Sequence, residues 1–205
     1  MYAAHAAYTL ENDLRVSIAT QTPELYQAIS TQQFAIYYQP IISGVDYSIM
    51  GFEALIRWNH PKRGWVSPGK FIPIAEEIGV IATLGSWVMR KACRDVSQWQ
   101  GALLKKDFFL SVNVSARQFQ NPSLLINTIT RSLQESNLAP YRLKLELTET
   151  STINESPENF FKVKETGCKL SLDDFGTGYS SLTYLHSLPF DSIKLDRSFI
   201  SDLYV

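Results

Sequence analysis

The sequence predicts an α/β fold in which parallel strands close into a barrel, and three observations support this prediction. First, strand patterns and helix patterns alternate along most of the 205 residues, with short connections between them. Second, the strands have one apolar and one polar face, whereas strands of an open sheet covered on both sides would be apolar almost throughout. Third, the polar residues come near the carboxyl ends of the strands, where a βα barrel builds its functional site.

The amino-terminal half begins with helix and continues with a hairpin. Residues 1–30 have a helical pattern and are interpreted as a helical linker, so that the barrel domain covers 31–205. Two strands follow, FAIYYQPIIS and SIMGFEALIRW, and the short turn between them predicts an antiparallel pair. Helix-start residues open SPGKFIPIAEEIGV, and a longer helix has apolar residues at helical spacing from Leu84 to Trp99.

From residue 108 onwards, strands and helices alternate. Strands are predicted at FFLSVNVS, RLKLELTE, CKLSLDD and SIKLDRSFI. Helices are predicted at NPSLLINTITRSLQESNL, SPENFFKVKETG and GYSSLTYLHSL. Pro122 lies in the first turn of one helix and Gly167 closes another, which are common start and stop signals.

Composition excludes several classes of function. The net charge of −1 gives no general attraction to nucleic acid polymers or to membrane surfaces. No apolar run approaches the length of a membrane span, and the first residues lack the apolar core of a secretory signal. Cys93 and Cys168 are too few for a disulfide framework and indicate a reducing compartment, the cytoplasm.

Charged and amide side chains lie on the polar faces of the predicted strands. A closed barrel would collect them in one cavity, which would hold Glu53, Arg57, Asn113, Glu146, Asp173, Asp174 and Lys194. The four carboxylates outnumber the two cations, and Glu149 adds another negative charge nearby. Such a cluster would raise its own pKa values unless metal cations occupy it. Oxygen ligands favour Mg²⁺, Mn²⁺ or Ca²⁺, and two such ions would hold a phosphodiester and generate hydroxide at neutral pH.

Each of these residues has an ordinary structural explanation when it is taken alone. A single acid at a strand end usually is solvated or caps a helix, and an Asp-Asp pair before glycines commonly forms a turn. The functional interpretation depends on their joint occurrence on one side of the strands. His60 is interpreted as a residue that shapes a turn, and Trp58, Trp65, Trp87 and Trp99 as packing residues.

A series of motifs resembles those of the EAL domain family. They are YYQP at 37–40, Glu53-Ala54-Leu55, NHP at 59–61, FIPIAEEIG at 71–79, SVNVSARQF at 111–119, LELTET at 145–150, LDDFGTGYSSL at 172–182 and IKLDRSFI at 193–200. They occur in order over roughly residues 31–205. The resemblance implies a TIM-type (β/α)₈ barrel whose first strand runs antiparallel. It also implies hydrolysis of cyclic di-GMP to linear pGpG with two Mg²⁺ or Mn²⁺ ions, and Ca²⁺ is expected to inhibit.

The resemblance assigns roles to residues of this chain. The metal ligands would be Glu53, Asn113, Glu146 and Asp173, with Asp173 bridging to a second ion and Asp174 close to it. Lys194 would position or deprotonate the attacking water, and Glu149 would hold the loop that follows Asp174. The substrate-binding residues would be Gln39 at a guanine and Arg57 at a phosphate, together with Leu55 and Asp196.

The resemblance also implies partners. Besides cyclic di-GMP, we expect a homodimer formed through the Asp173–Leu182 loop. We further expect a sensory or GGDEF-type domain upstream in the full-length protein, which membrane segments outside this sequence would anchor.

Two departures from the family pattern stand out. Members continue beyond DRSFI into two more strand–helix units, with a Glu-Gly-Val-Glu-like segment and a late Gln-Gly. The sequence is therefore expected to lack the end of the barrel, and the 205-residue chain is expected to hydrolyse cyclic di-GMP poorly by itself. The interval from Glu149 to Asp173 is short by about one helical turn, which suggests that residues are missing there.

Two other functions remain open at this point. A degenerate EAL domain would bind cyclic di-GMP or a protein partner without hydrolysing it. Such domains often lose the EAL glutamate or the paired aspartates, and this chain retains both, which favours the enzyme. Apart from the resemblance, an acidic barrel centre with a lysine also suits a metal-dependent lyase or an enolising enzyme.

Overall fold

A computed structural model of the chain describes residues 22–99, 108–152, 155–176 and 187–201. These ranges leave out most of the predicted linker, most of the helix predicted at GYSSLTYLHSL and most of the Asp173–Leu182 loop. The described residues form two compact units. The smaller unit contains the described residues up to Ile36 together with Ile56–Leu84, and the larger contains Tyr37–Leu55 and the described residues from Gly85 onwards. The predicted domain boundary at residue 31 stays a prediction.

The elements follow the order of a repeating strand–helix fold. The strands are β1 (Phe34–Ile42), β2 (Ile49–His60), β3 (Gly64–Val66), β4 (Phe109–Asn113), β5 (Leu143–Thr148), β6 (Lys169–Phe175) and β7 (Ser192–Leu195). The helices are α1 (22–30), α2 (Pro68–Glu77), α3 (Ile81–Gln98), α4 (Ala116–Phe119), α5 (Pro122–Ser136), α6 (Glu149–Thr152), α7 (Pro157–Lys164) and α8 (Ser198–Ser201). Within the described ranges, none of these helices is long and apolar enough to cross a membrane.

The smaller unit has an aromatic core. The rings of Phe34, Trp58 and Phe71 lie with centroids 5.6 to 5.7 Å apart, and the indole nitrogen of Trp58 donates to Oε1 of Gln33 at 3.0 Å. At the turn after β2, Nδ1 of His60 accepts from the backbone N–H groups at positions 62 and 63, at 3.1 and 3.2 Å. These bonds confirm that His60 shapes the turn.

The larger unit is built on a parallel sheet in which the strands are bonded in the order β1-β2-β4-β5-β6-β7. β2, β4, β5, β6 and β7 pair in parallel. A six-residue turn joins β1 to β2, and Ser43 N–H donates to the carbonyl of Ser48 at 2.8 Å across it, as expected for the antiparallel first strand. The leucines of β5 and β6 are fully buried on the apolar face.

The predicted helices that lie within the described residues form in the structure, and their ends differ from the predicted ends by a few residues. Asn121 caps α5 by accepting from Leu124 N–H at 3.2 Å, with Pro122 in the first turn. α7 stops at Lys164, and Gly167 takes a left-handed conformation (φ 83°) before β6. The strand predicted at SIKLDRSFI is shorter than expected: β7 ends at Leu195, and a short helix follows. Oδ1 of Asp196 there accepts from Ser198 N–H at 2.8 Å and starts α8.

Candidate active site

The sheet of the larger unit places five polar side chains together, four of them near the carboxyl ends of their strands. They are Glu53 on β2, Asn113 on β4, Glu146 on β5, Asp173 on β6 and Lys194 on β7. Strand register explains the meeting: Glu53 lies opposite Ser111 and Asn113 lies opposite Glu146. Because paired residues of a parallel sheet point to the same face, chain positions far apart in sequence converge.

Lys194 lies at the centre of three carboxylates. Its Nζ donates to Oε2 of Glu146 at 2.8 Å, to Oδ2 of Asp173 at 3.1 Å and to Oε2 of Glu53 at 3.2 Å. One oxygen from each carboxylate lies within 4.8 Å of the other two. We call Glu53, Glu146 and Asp173 the carboxylate cluster.

The cluster is held in place by further contacts. Nδ2 of Asn113 donates to Oε1 of Glu53 at 2.9 Å, so the amide fixes the orientation of that carboxylate. Glu146 is 1% exposed, and its Oε1 has no hydrogen-bond partner among the described residues. A buried carboxylate oxygen without a partner is costly, which is expected where a cation belongs.

Burial and charge shift the pKa values of the site in opposite directions. Burial raises the pKa of Glu146 above its usual value, although the hydrogen bond and charge of Lys194 oppose the shift. For Lys194, burial alone would lower the pKa, but its hydrogen bond to Glu146 and the charges of the cluster outweigh burial and raise the pKa. Lys194 is therefore an ammonium that donates hydrogen bonds.

Asp174 lies next to the cluster without belonging to it. Its backbone is left-handed (φ 52°), and its N–H donates to Oδ1 of Asp173 at 3.0 Å. Burial and the neighbouring carboxylates of Asp173 and Asp196 raise its pKa. The buried carboxylate of Glu149, at the start of α6, accepts the N–H of Gly176 at 3.0 Å and so holds the described part of the Asp173–Leu182 loop.

The predicted substrate-binding residues occupy separate positions. Gln39 is exposed on β1, and Leu55 follows Glu53 on the same face of β2. Arg57 lies on the part of β2 that belongs to the smaller unit, where its guanidinium donates to the carbonyl of Ile56 at 2.9 Å. Asp196 caps α8, with Ser198 Oγ at 2.5 Å in addition to the backbone bond, and these bonds lower its pKa.

Sequence reasoning did not single out two features of this region. Ser171 and Ser192 lie two residues before Asp173 and Lys194 on the same strand faces, and their hydroxyls are 3.0 Å apart. The two-residue spacing from Asp173 and Lys194 predicts that these serines lie on the same strand faces as the site residues. The ring of Phe199 contacts Gly176, and no pattern along the chain indicates that contact.

The donors of the cluster suit a hard divalent cation. Three carboxylates from different strands, an amide and one unpartnered buried oxygen offer oxygen ligands within a small volume. No thiol joins the group among the described residues, since Cys93 and Cys168 are buried elsewhere in the larger unit. The arrangement can bind an ion, orient an anionic group and hold a water molecule beside an ammonium.

Comparison with known proteins places this chain in a family. The model of the EAL domain matches residues 23–204. The uncharacterized protein sll1895 of Synechocystis sp. is 46% identical over 182 residues, which are 87% of this chain and 26% of that protein. The cyclic di-GMP phosphodiesterase NbdA of Pseudomonas aeruginosa is 40% identical over 183 residues, 88% of this chain and 23% of NbdA.

A third relative has a solved structure. The bifunctional diguanylate cyclase/cyclic di-GMP phosphodiesterase MucR of Pseudomonas aeruginosa is 38% identical over 88% of this chain and 26% of its own length. The structure of the PaMucR phosphodiesterase in complex with c-di-GMP superposes with a TM-score of 0.82 and 37% identity, covering 90% of this chain and 75% of that one. The chain thus spans about a quarter of the length of the curated relatives that it matches.

These findings confirm the predicted fold class and the resemblance stated from the motifs. The parallel strand order, the alternating helices and the likeness to solved EAL structures agree on a TIM-type α/β barrel fold. With a family match over 23–204, the chain belongs to the EAL domain family.

Proposed function

We propose that this chain comes from the catalytic domain of a metal-dependent phosphodiesterase that hydrolyses cyclic di-GMP to linear pGpG. The observation that carries the proposal is the convergence of Glu53, Glu146 and Asp173 around Lys194. Membership of the EAL family and relatives described as cyclic di-GMP phosphodiesterases support the choice of substrate.

The metal ligands are proposed from the contacts of the cluster. Glu53, Asn113, Glu146 and Asp173 would hold one Mg²⁺ or Mn²⁺, and Asp173 with Asp174 would hold a second, while Ca²⁺ would inhibit. Divalent ions, when bound, stabilise charge on a phosphodiester and make water a stronger nucleophile. The amide of Asn113 keeps Glu53 turned towards the cluster.

The remaining residues act on water, loop and substrate. The ammonium of Lys194 is placed to donate a hydrogen bond to the attacking water. It would also offset the negative charge that develops on the phosphoryl oxygens in the transition state. Glu149 holds Gly176 and thereby the end of β6. Gln39, Leu55, Arg57 and Asp196 are proposed to contact the dinucleotide.

The second candidate function is a receptor that binds cyclic di-GMP without cleaving it. The cluster, its asparagine and its lysine are all present, and a receptor has no need of these groups in one place. We therefore favour hydrolysis.

The cellular setting is proposed along with the activity. We assign the domain to the cytoplasm, in agreement with its two buried thiols. We propose a sensory or GGDEF-type domain upstream, since MucR is described as both cyclase and phosphodiesterase. Self-association through the Asp173–Leu182 loop completes the proposal.

Hydrolysis is tested by following pGpG release from cyclic di-GMP with Mg²⁺, Mn²⁺, Ca²⁺ or a chelator. Glu53→Ala removes a proposed ligand and should abolish turnover. Calorimetric binding of cyclic di-GMP to the same samples separates the two functions. Tight binding by the full-length protein without any pGpG in Mn²⁺ would establish the receptor, and undiminished turnover in its Glu53→Ala variant would refute the site.

A further inference from the structure

The end of β6 is an unusual piece of backbone. Its pairing with β7 shifts register between Leu172 and Phe175. Two of the three residues that follow Asp173 are left-handed, Asp174 at φ 52° and Gly176 at φ 100°. Residues other than glycine adopt this backbone conformation uncommonly, and contacts around the turn hold Asp174 in it.

Three contacts hold this turn from different elements. The carboxylate of Glu149 on α6 accepts the N–H of Gly176 at 3.0 Å. The N–H of Asp196, after β7, donates to the carbonyl of Phe175 at 3.3 Å. The ring of Phe199 on α8 covers the α-carbon of Gly176: a β-carbon added there would lie 2.1 Å from Cε2 and 2.2 Å from Cζ.

The position of Phe199 is not explained by the apolar core. Its side chain is 51% exposed, so the ring spends about half its surface in solvent while it packs on Gly176. A half-exposed ring contributes less to overall stability than a fully buried one. The ring instead contacts Gly176, the residue whose N–H donates to the carboxylate of Glu149.

We propose that Phe199 is a positioning residue that packs on Gly176, supports its hydrogen bond to Glu149 and so keeps Asp174 in its left-handed conformation and Asp173 in the cluster. This inference rests on the proposed function, because its consequence is the placement of two proposed metal ligands. It assigns a task in the site to α8, which contributes no side chain to the cluster among the described residues.

The proposal is tested with Phe199→Ala and a matched control, Phe161→Ala. Phe161 lies on α7 and is 52% exposed, so the control removes the same side chain at the same exposure. Amide hydrogen exchange of Gly176 reports the Glu149 bond directly, and calorimetric titration with Mn²⁺ reports ligand placement. Phe199→Ala should speed exchange at Gly176 at least tenfold and weaken Mn²⁺ binding several-fold, with thermal stability equal to that of the control.

A double-mutant cycle with Gly176→Ala adds a readout that general destabilisation would not give. The added methyl collides with the ring only when Phe199 is present, whereas the strain of φ 100° is the same in both backgrounds. Gly176→Ala should therefore weaken Mn²⁺ binding more in the Phe199 background than in Phe199→Ala. Phe199→Leu, which keeps part of the apolar contact, should give an intermediate exchange rate and serves if the alanine variant fails to fold.

The outcomes separate this inference from the proposed function. Gly176 exchange that is unchanged in Phe199→Ala or Phe199→Leu, or equal to that of Phe161→Ala, overturns the role of Phe199 even if the unaltered protein hydrolyses cyclic di-GMP. Faster exchange of Gly176 in Phe199→Ala, with an unaltered protein that neither binds Mn²⁺ nor releases pGpG, would show that Phe199 stabilises the turn. That result overturns the proposed function instead, together with the consequence for metal binding.

Discussion

At the scale of residues, the site is decided by one ammonium among three carboxylates. Glu53, Glu146 and Asp173 carry −3 and Lys194 returns +1, which leaves −2 in a partly buried group. A divalent cation would balance that charge. The same carboxylates accept hydrogen bonds from Lys194, so the ammonium and a metal ion would share the oxygen atoms of this cluster.

Lys194→Met keeps most of the length of the side chain and removes its charge. We expect pGpG release to fall by roughly 10² to 10³-fold, the usual effect of losing a hydrogen-bond donor that stabilises charge in the transition state, while the affinity for Mn²⁺ is retained or rises. Calorimetry and product release measure the two effects. Lys164→Met is the control, since Lys164 pairs with Asp191 at 2.7 Å outside the cluster. Weaker Mn²⁺ binding in Lys194→Met alone would contradict this account.

The two thiols make a second prediction at this scale. Burial raises the pKa of Cys168 to about 11 and that of Cys93 to about 12. The thiolate is the reactive form, so at about pH 8 the folded protein should react with a disulfide reagent at least 10²-fold more slowly than a model thiol. Both thiols should react at once in denaturant. Rapid labelling of either cysteine in the native protein would show that its surroundings open.

At the scale of elements, α6 and β6 are joined by the bond from Gly176 to Glu149. A hydrogen bond to a charged acceptor contributes about 1.5–3 kcal/mol. This one holds the segment that presents two of the proposed metal ligands. The short helix α6 therefore acts on the site through the backbone of another element.

Glu149→Ala should loosen the segment after Asp174 and weaken Mn²⁺ binding by about tenfold or more, since the bond to Gly176 is lost. If the Asp173–Leu182 loop forms a dimer interface, self-association should weaken as well. Titration calorimetry and sedimentation with and without Mn²⁺ measure the two effects. Glu149→Gln keeps an acceptor oxygen and should fall between the parent and Glu149→Ala. Unchanged metal affinity and unchanged mass in Glu149→Ala would count against the coupling.

The aromatic core of the smaller unit makes a prediction about stability. Trp58 on β2 is fully buried against Phe34 and Phe71, so Trp58→Ala should cost about 3–5 kcal/mol of unfolding free energy. Trp65 on β3 is 56% exposed, and Trp65→Ala should stay within about 0.5 kcal/mol. Denaturant midpoints compare the two variants. Equal losses would show that burial does not rank these residues.

At the scale of the whole molecule, metal binding and folding are linked, because the cluster exists only when four strands are in register. A ligand that binds the folded state alone stabilises it by about 2.7 kcal/mol at 100 times its dissociation constant. We expect Mn²⁺ to raise the melting temperature and a chelator to reverse the rise. Glu53→Ala should show no such rise, and scanning calorimetry tests both. A metal-independent melting temperature in the unaltered chain would argue against a folded-state site.

The sequence by itself determined the alternation of elements, the apolar and polar faces of the strands and the family. These features depend on residues close together in the chain: period-two alternation in LKLELT, Asn121 and Pro122 at a helix start, Gly167 at a helix end. Local propensity and side-chain pattern act over a few residues, so reading along the chain finds them. The acids and Lys194 were identified in the same way, as polar positions on apolar-faced strands.

Only the tertiary structure decided which of these residues meet. Register brings Glu53, Glu146 and Asp173 within 4.8 Å and leaves Asp174 outside the group, because pairing between distant strands depends on the whole sheet. The raised pKa of Lys194 depends on the same pairing, since its causes are charges on three other strands. The early end of β7 and the ring of Phe199 on Gly176 follow from a cap and a contact that strand pattern does not encode. Residues close together in the chain determine the secondary structure of each segment, and packing between segments determines its tertiary contacts.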